Sequence, residues 1–194
     1  MRRTPLLPVS IVLLGAALAA GLVTAAPRAR RFFSARHGVG IDAPVGWSLA
    51  KHTGFPDVLA VLLHPSGGRL SISAAPTRAA TARALAEESR RGLEAQRLTI
   101  GRVAAGARGG VELQAVNSAR GETLRQLYLV RPVNGGARQA IVLTLVARDD
   151  AFVALAPTFE WAAAHLALEQ PAGAPESPDA GASAAQRAGD DRER

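Results

Sequence analysis

The feature that most constrains the fold is a series of short stretches in which polar and apolar residues alternate, each ended by a Gly-containing turn. Residues 69–74 and 111–115 alternate strictly. This period of two predicts half-buried strands, and the turns at 65–68, 120–121 and 134–136 are typical of hairpin connections. The sequence therefore predicts a meander of antiparallel strands over 58–64, 69–74, 111–115, 123–133 and 139–148.

One of these strands is apolar on both sides. Within residues 140–146 the only polar side chain is that of Thr144. A strand of this kind lies at the centre of a sheet, where other elements cover both faces. We therefore expect helices on the two sides of the sheet.

A first helix is predicted over 78–97. Arg83, Arg90 and Arg97 recur every seven residues, with Glu87 and Glu94 between them. The two interpretations are a basic binding ridge and a solvated face with intrahelical ion pairs, and the interleaved glutamates favour the second. Six residues form the opposite, core-facing side: Ala82, Leu85, Ala86, Ser89, Gly92 and Leu93.

Gly92 weakens this helix, so we expect it to be compensated by a close approach to the sheet. A second helix is predicted to begin at Asp149 and Asp150, whose carboxylates would cap its free N–H groups and oppose its dipole. Pro157 should kink or split this helix. The residues expected to point to the core are Phe152, Leu155, Phe159 and Leu166.

The N-terminal segment has the pattern of an export signal. Arg2 and Arg3 precede an apolar run over 6–23, and small residues follow it. Val23 and Ala25 suit cleavage after Ala25, which defines a signal peptide over 1–25. The alternative is an uncleaved membrane anchor, because residues 6–26 are just long enough to span a bilayer. Either interpretation places the rest of the chain outside the cytoplasm, in the periplasm or secreted.

The remaining chain divides by composition. Residues 26–31 form a basic linker, and residues 32–169 are predicted to be a single folded domain with 15 basic and 11 acidic side chains. Residues 170–194 are dominated by Pro, Ala, Gly and Ser without apolar periodicity, so we predict a disordered tail. A role for this tail as a linker that reaches a partner rests on composition alone.

The sequence contains few residue patterns that indicate catalysis. The chain has no cysteine, which excludes disulfides, thiol catalysis and Cys-ligated metals. Its four histidines, His37, His52, His64 and His165, have no metal-ligand spacing. We therefore predict that it is not an enzyme and has no catalytic residues, no cofactor and no metal, with the binding residues unknown.

Three local patterns invite a functional interpretation and are better explained structurally. Ser66 follows His64 in HPSGG, but its neighbours form turns, so a hairpin loop is expected. The GVG of 38–40 does not precede a helix and is not a dinucleotide fingerprint. Aromatic residues make up only 4% of the chain and the basic residues form no stripe, so nucleic-acid binding is not expected.

One stretch carries family information. Residues 32–47 read FFSARHGVGIDAPVGW, in which Ile41, Pro44, Gly46 and Trp47 resemble the opening strand of the PsbP-like/DcrB-like superfamily. Tyr128 in LRQLYLV and the closing helix are similar to the later family pattern. The resemblance implies an α+β fold, an α/β/α sandwich with an antiparallel sheet between helices, and offers no shared catalytic residues. On the residues alone, Pro44 ends a strand, Gly46 turns and Trp47 anchors the core.

The resemblance also implies a class of function. Its members are mostly small accessory or binding proteins, often exported, so we expect an envelope domain that binds another envelope protein or an envelope component. One alternative is a chaperone-like dimer that holds apolar segments, which a large apolar groove on the sheet would favour. A hydrolase is the other, which histidines and carboxylates clustered in a pocket would favour.

Overall fold

A computed structural model describes residues 31–50 and 57–171. The predicted signal peptide, almost all of the basic linker, nearly the whole tail, and His52 lie outside the described residues. The described elements, in chain order, are β1 (Arg31–Ser34), β2 (Val39–Asp42), β3 (Ser48–Leu49), β4 (Val58–Leu63), β5 (Arg69–Pro76), α1 (Ala82–Ala95), β6 (Thr99–Ala105), β7 (Val111–Asn117), β8 (Glu122–Pro132), β9 (Arg138–Arg148), α2 (Asp149–His165) and β10 (Ala167–Leu168).

The large sheet is antiparallel throughout and has the order β3-β4-β5-β9-β8-β7-β6. Strand β9 occupies its centre, as its apolar sequence predicts. The longest pairing joins β8 to β9, from Glu122 opposite Arg148 to Pro132 opposite Arg138. Gly135 and Gly136 allow this hairpin to close because both adopt positive φ, 78° and 76°.

Helix α2 covers one face of the sheet and buries the larger core. Inward residues of β5, β8 and β9 pack there against Phe152, Leu155 and Phe159. Burial alternates along β5, with Leu70, Ile72 and Ala74 buried, which confirms the predicted period of two. We call this the α2 side of the sheet.

Helix α1 covers the opposite face and buries a smaller core, the α1 side, which contains Ala86, Val111, Leu113, Ala115 and Tyr128. The main contacts of the helix are with β6, β7 and β8. The prediction that both faces of β9 are covered holds only in part on this side. Val142 packs against the α1-side core, whereas Thr144 and Val146 are partly exposed and belong to neither apolar core.

Helix α1 is shorter than predicted, since it begins at Ala82 rather than near residue 78. Thr81 is the N-cap, and its Oγ1 accepts a hydrogen bond from the Ala84 N–H at 3.1 Å. The expected approach of Gly92 to the sheet is wrong, because a Cβ at that position would meet nothing within 4 Å. The solvated face is confirmed: Arg90 bonds Glu87 at 2.7 Å and Glu94 at 2.6 Å.

Helix α2 begins at Asp149 as predicted, but the two aspartates do not cap it. The N-cap is Arg148, and the Asp149 carboxylate instead accepts a hydrogen bond from Thr123 Oγ1 at 2.7 Å. Pro157 does not split the helix, which continues to His165. Because Pro157 is exposed, its ring lies on the solvent side, where water can satisfy the freed carbonyl.

A small sheet, β1-β2-β10, joins the two ends of the described chain. It leads into the predicted turn, where Gly46 has φ 86° and the Trp47 N–H bonds the Pro44 carbonyl at 3.1 Å. Trp47 is 8% exposed and lies in the α2-side core, as predicted. No helix in the described parts of the chain is long and apolar enough to cross a membrane.

Candidate binding site

A concave site lies at one end of the α2 side, between the β8–β9 hairpin and the turn that joins β1 to β2. It is a cleft of about 380 Å³. We call it the His37 pocket, and its lining residues are Arg36, His37, Asp57, Ala74, Pro76, Val133, Ala137, Arg138, Gln139 and Pro171. Its volume falls in the range of about 300–1,000 Å³ that is usual for small-molecule sites.

Arg131 fixes the floor of this pocket. Its Nη2 donates to the carbonyls of His37 (2.6 Å) and Gly38 (3.2 Å), and its Nη1 donates to the carbonyl of Glu169 (2.7 Å). Its Nε donates to Gln139 Oε1 at 2.9 Å. Burial lowers the pKa of the Arg131 guanidinium below its usual value. One side chain thus ties the end of β8 to the β1–β2 turn and to the residue that follows β10.

Gln139 lies opposite Arg131 in the β8–β9 pairing and is buried. Its Nε2 is 3.5 Å from His37 Nδ1, at the limit of a hydrogen bond. Burial, followed by the positive charge of Arg36, lowers the pKa of His37, and Asp57 opposes this effect only partly. The His37 imidazole is therefore neutral at pH 7 and can accept or donate a hydrogen bond.

Glycine is required at one position beside the pocket. Gly38 has φ 57°, and a Cβ there would lie 2.0 Å from the carbonyl oxygen of Glu169. The backbone of the β1–β2 turn therefore packs directly on the chain that follows β10. The Gly38 carbonyl also accepts the Glu169 N–H at 2.8 Å.

The walls and the rim differ in character. Five lining residues are apolar, and we call them the walls: Ala74, Pro76, Val133, Ala137 and Pro171. The three charged lining residues, Arg36, Arg138 and Asp57, are exposed, and we call them the rim. Among the described residues, none of these three forms an ion pair. The pocket is therefore amphipathic, with a positive excess at its opening.

A second, smaller cleft of about 150 Å³ lies on the α2 side at the other edge of the sheet. Arg125 bonds Glu112 at 2.7 Å and Glu160 at 3.1 Å, and its guanidinium lies 4.8 Å from the Phe159 ring centroid. Burial is the largest influence on the pKa of Arg125 and lowers it, but the hydrogen bonds with both glutamates outweigh this and raise it. Both carboxylates are engaged by one arginine, so this cluster has the character of a structural ion triad.

The HPSGG segment forms the predicted turn. His64 N–H bonds the Gly68 carbonyl at 2.9 Å, and the Ser66 Oγ lies 2.8 Å from His64 Nδ1. The Ser66 N–H also donates to the same nitrogen, at 3.2 Å. His64 therefore organises its own loop, and its ring packs 5.2 Å from that of Trp47.

The histidines are not gathered into a site in the part of the chain that the structure describes. His37 lies in the pocket, His64 in the turn, and His165 at the end of α2, where its ring stacks on Trp161 at 4.4 Å. The described residues contain no group of three or more histidine and carboxylate side chains placed to hold a metal ion.

The His37 pocket was not predicted from the sequence, because its parts are distant in the chain. His37 and Gln139 are 102 residues apart, and His37 and Arg131 are 94 apart. One signal was present: Gln139 is a polar residue in the inward series of β9, ahead of Ile141 and Leu143. A polar side chain at an inward position is buried only with partners, which are Arg131 and His37 here.

The arrangement of a seven-stranded antiparallel sheet between one helix on each face, with a small sheet at one end, is the PsbP-like fold. This confirms the resemblance expected from residues 32–47 at the level of the fold. No family model matches the chain, and no curated protein matches it by sequence.

Two solved structures show the same architecture. The solution structure of cyanobacterial PsbP (CyanoP) from Synechocystis sp. PCC 6803 superposes with a TM-score of 0.54 at 15% identity, over 75% of this chain and 96% of that chain. The crystal structure of LpqN, described as involved in cell envelope biogenesis of Mycobacterium tuberculosis, superposes with a TM-score of 0.52 at 15% identity. That match covers 75% of this chain and 87% of LpqN.

Proposed function

We propose that the protein is an exported accessory domain of the cell envelope that binds another envelope molecule and catalyses no reaction. The observation that carries the proposal is the His37 pocket, in which polar groups are held rigidly around an apolar cleft. Arg131, Gln139 and His37 are bonded mainly to one another and to backbone carbonyls. Such an arrangement suits recognition, because it offers fixed contacts without a nucleophile and a base in contact.

Two further observations support this proposal. The N-terminal sequence has the charged start, apolar run and small-residue end of an export signal. One structural neighbour, LpqN, is described by its role in envelope biogenesis. We carry that setting over to this chain as part of the proposal.

The open half of the α1 side does not favour the chaperone alternative. There Ser71, Ser73 and Thr144 lie among Val61 and Val146 on the same face of β4, β5 and β9. Hydroxyl groups therefore interrupt the aliphatic surface, whereas a protein that holds apolar segments needs a continuous apolar groove.

Cell fractionation with N-terminal sequencing tests the export half of the proposal. We expect the protein outside the cytoplasm with Ala26 as its first residue. An intact Met1 in the membrane fraction would show that the N-terminal segment is an uncleaved anchor. The domain would still lie outside the cytoplasm. A protein found only in the cytosol would contradict the proposal.

A further inference from the structure

We propose that the His37 pocket binds a small amphipathic anion, a molecule with a carboxylate or phosphate head and a short apolar body. This inference rests on the proposed function, since it names the envelope component that the domain would take. It starts from the contrast between the apolar walls and the charged rim.

The apolar body is indicated by the walls. Five of the ten lining residues are Ala, Pro or Val, and they include Ala74 at the end of β5 and Val133 at the end of β8. No Phe, Tyr or Trp side chain lines the described pocket, so a sugar ring would lack the large aromatic surface on which it usually stacks. Burial of an alkyl chain against these walls removes apolar surface from water, which is favourable, so the walls suit an alkyl body.

The anionic head is indicated by the rim. Arg36 and Arg138 carry two positive charges against the one negative charge of Asp57, and no described carboxylate pairs with either arginine. Behind the floor, the partly buried Arg131 adds a third positive charge, whose hydrogen-bond partners are all neutral oxygens. A partly buried guanidinium without a counter-charge favours an anion nearby.

His37 and Gln139 provide the positions for specific hydrogen bonds. The neutral His37 ring lines the pocket, and the Gln139 amide N–H₂ has only a long contact, to His37 Nδ1. Either group can therefore donate to a head-group oxygen at the floor. The charged rim and these donors lie on the same pocket as the apolar walls, so one short molecule can contact all of them.

The test is a calorimetric titration with four probes. It uses the protein purified from the cells that produce it, without further truncation. Octanoate and octyl phosphate combine a head with an apolar body, 1-octanol lacks the charge, and acetate lacks the body. We expect octanoate or octyl phosphate to bind at least about threefold more tightly than 1-octanol, and acetate not to bind measurably. The tighter of the two charged probes identifies a fatty-acid-like or a phospholipid-like source, and either result supports the proposal.

Amino-acid substitutions test whether the probes bind in the His37 pocket. Ala137→Trp fills the pocket from an exposed wall position and should abolish octanoate binding, while Arg36→Gln and Arg138→Gln should each weaken it by about threefold. Arg120→Gln is the matched control, because Arg120 is an exposed arginine in the β7–β8 turn at the opposite end of the sheet.

Two results would overturn the inference: 1-octanol binding as tightly as octanoate, or octanoate binding that Ala137→Trp leaves unchanged. Neither would affect the export result, which is obtained separately by fractionation. The failure of this inference and the failure of the proposed function are therefore distinguishable.

Discussion

The two sides of the large sheet are built differently. The α2 side buries a continuous apolar core with Trp47, Phe152 and Phe159. The α1 side buries fewer residues and contains a chain of polar contacts, in which the Tyr128 hydroxyl bonds Ser89 Oγ at 2.6 Å and also the Gln126 side-chain carbonyl. Gln126 Nε2 continues this chain to Thr144 Oγ1 at 3.1 Å.

This difference indicates that the two sides have different roles in the fold. Stability scales with the apolar surface removed from water, so the α2 side should contribute most of it. The polar chain of the α1 side instead fixes the position of α1 on β8, because the hydrogen bond between Tyr128 and Ser89 joins the two elements. The His37 pocket lies at one end of the α2 side, where the hydrogen bonds of Arg131 hold its polar groups in place.

The largest expected effect compares the two tryptophans. Trp47→Ala should lower the free energy of unfolding by about 3–5 kcal/mol, because it empties a large site in the α2-side core. Trp161 is 38% exposed on the outer surface of α2, against 8% for Trp47, so Trp161→Ala is the matched control. Urea unfolding of both variants measures the difference, and similar losses would contradict the placement of Trp47 in the core.

Two glycines compare the packing of the two sides. A Cβ at Gly68 would lie 2.4 Å from Leu155 Cδ1 and 3.3 Å from Trp47, whereas a Cβ at Gly92 meets open space. Gly68→Ala should therefore destabilise the protein by about 1–3 kcal/mol. Gly92→Ala should stabilise it by about 0.5–1 kcal/mol, because alanine has the better helix propensity. Thermal melts with the same sign for both would contradict this comparison.

Tyr128→Phe tests the polar chain. Removing the hydroxyl should cost about 1–2 kcal/mol, because it leaves Gln126 and Ser89 with a lost partner. Burial, opposed by the bond with Ser89, raises the pKa of Tyr128 above its ordinary value. The unfolded chain therefore releases the phenol proton first, and stability should fall as the pH rises above about 10.

Tyr128 is the only tyrosine, so a spectrophotometric titration follows this group directly. The pH-dependent loss should be absent in Tyr128→Phe. A phenol that titrates at its ordinary pKa in the folded protein would contradict its burial.

The smallest expected effect is on the pH dependence of stability, and it concerns His37 in the pocket. Its pKa in the folded protein lies below the unfolded value of about 6.5, so its contribution to stability is present above that pH. The contribution is lost as the pH falls through the folded pKa. His37→Gln should flatten the decrease in stability below pH 6.5, as measured by urea unfolding at pH 8 and at a series of pH values below 6.5.

The hairpins were predictable from the sequence because their signals are local. The alternation along 69–74 and the Gly pair at 135–136 determine strands and turns without reference to the rest of the chain. Strand β6 was not predicted, because its pairing with β7 shifts register between Ile100 and Val103 and its burial does not alternate. A strand that ends before Pro44 was predicted and is β2. Its pairing in the small sheet was not predicted, since it joins β2 to β10 across most of the domain.

It could also not be predicted from the sequence that α1 covers only part of the sheet. Apolar residues on both sides of β9 indicate a central strand, but they do not say which strands a helix covers. The same limit applies to the pocket, whose Arg131, Gln139 and His37 meet only through the tertiary fold.

The central claim is that the His37 pocket is a binding site in the cell, and photo-crosslinking tests it most directly. A photoreactive amino acid replaces Ala137 at the pocket or, as the control, Arg120 at the opposite end of the sheet, and the cells are irradiated before fractionation. We expect an adduct of defined mass from position 137 and none from position 120. Equal labelling from both positions, or no adduct from either, would contradict the claim.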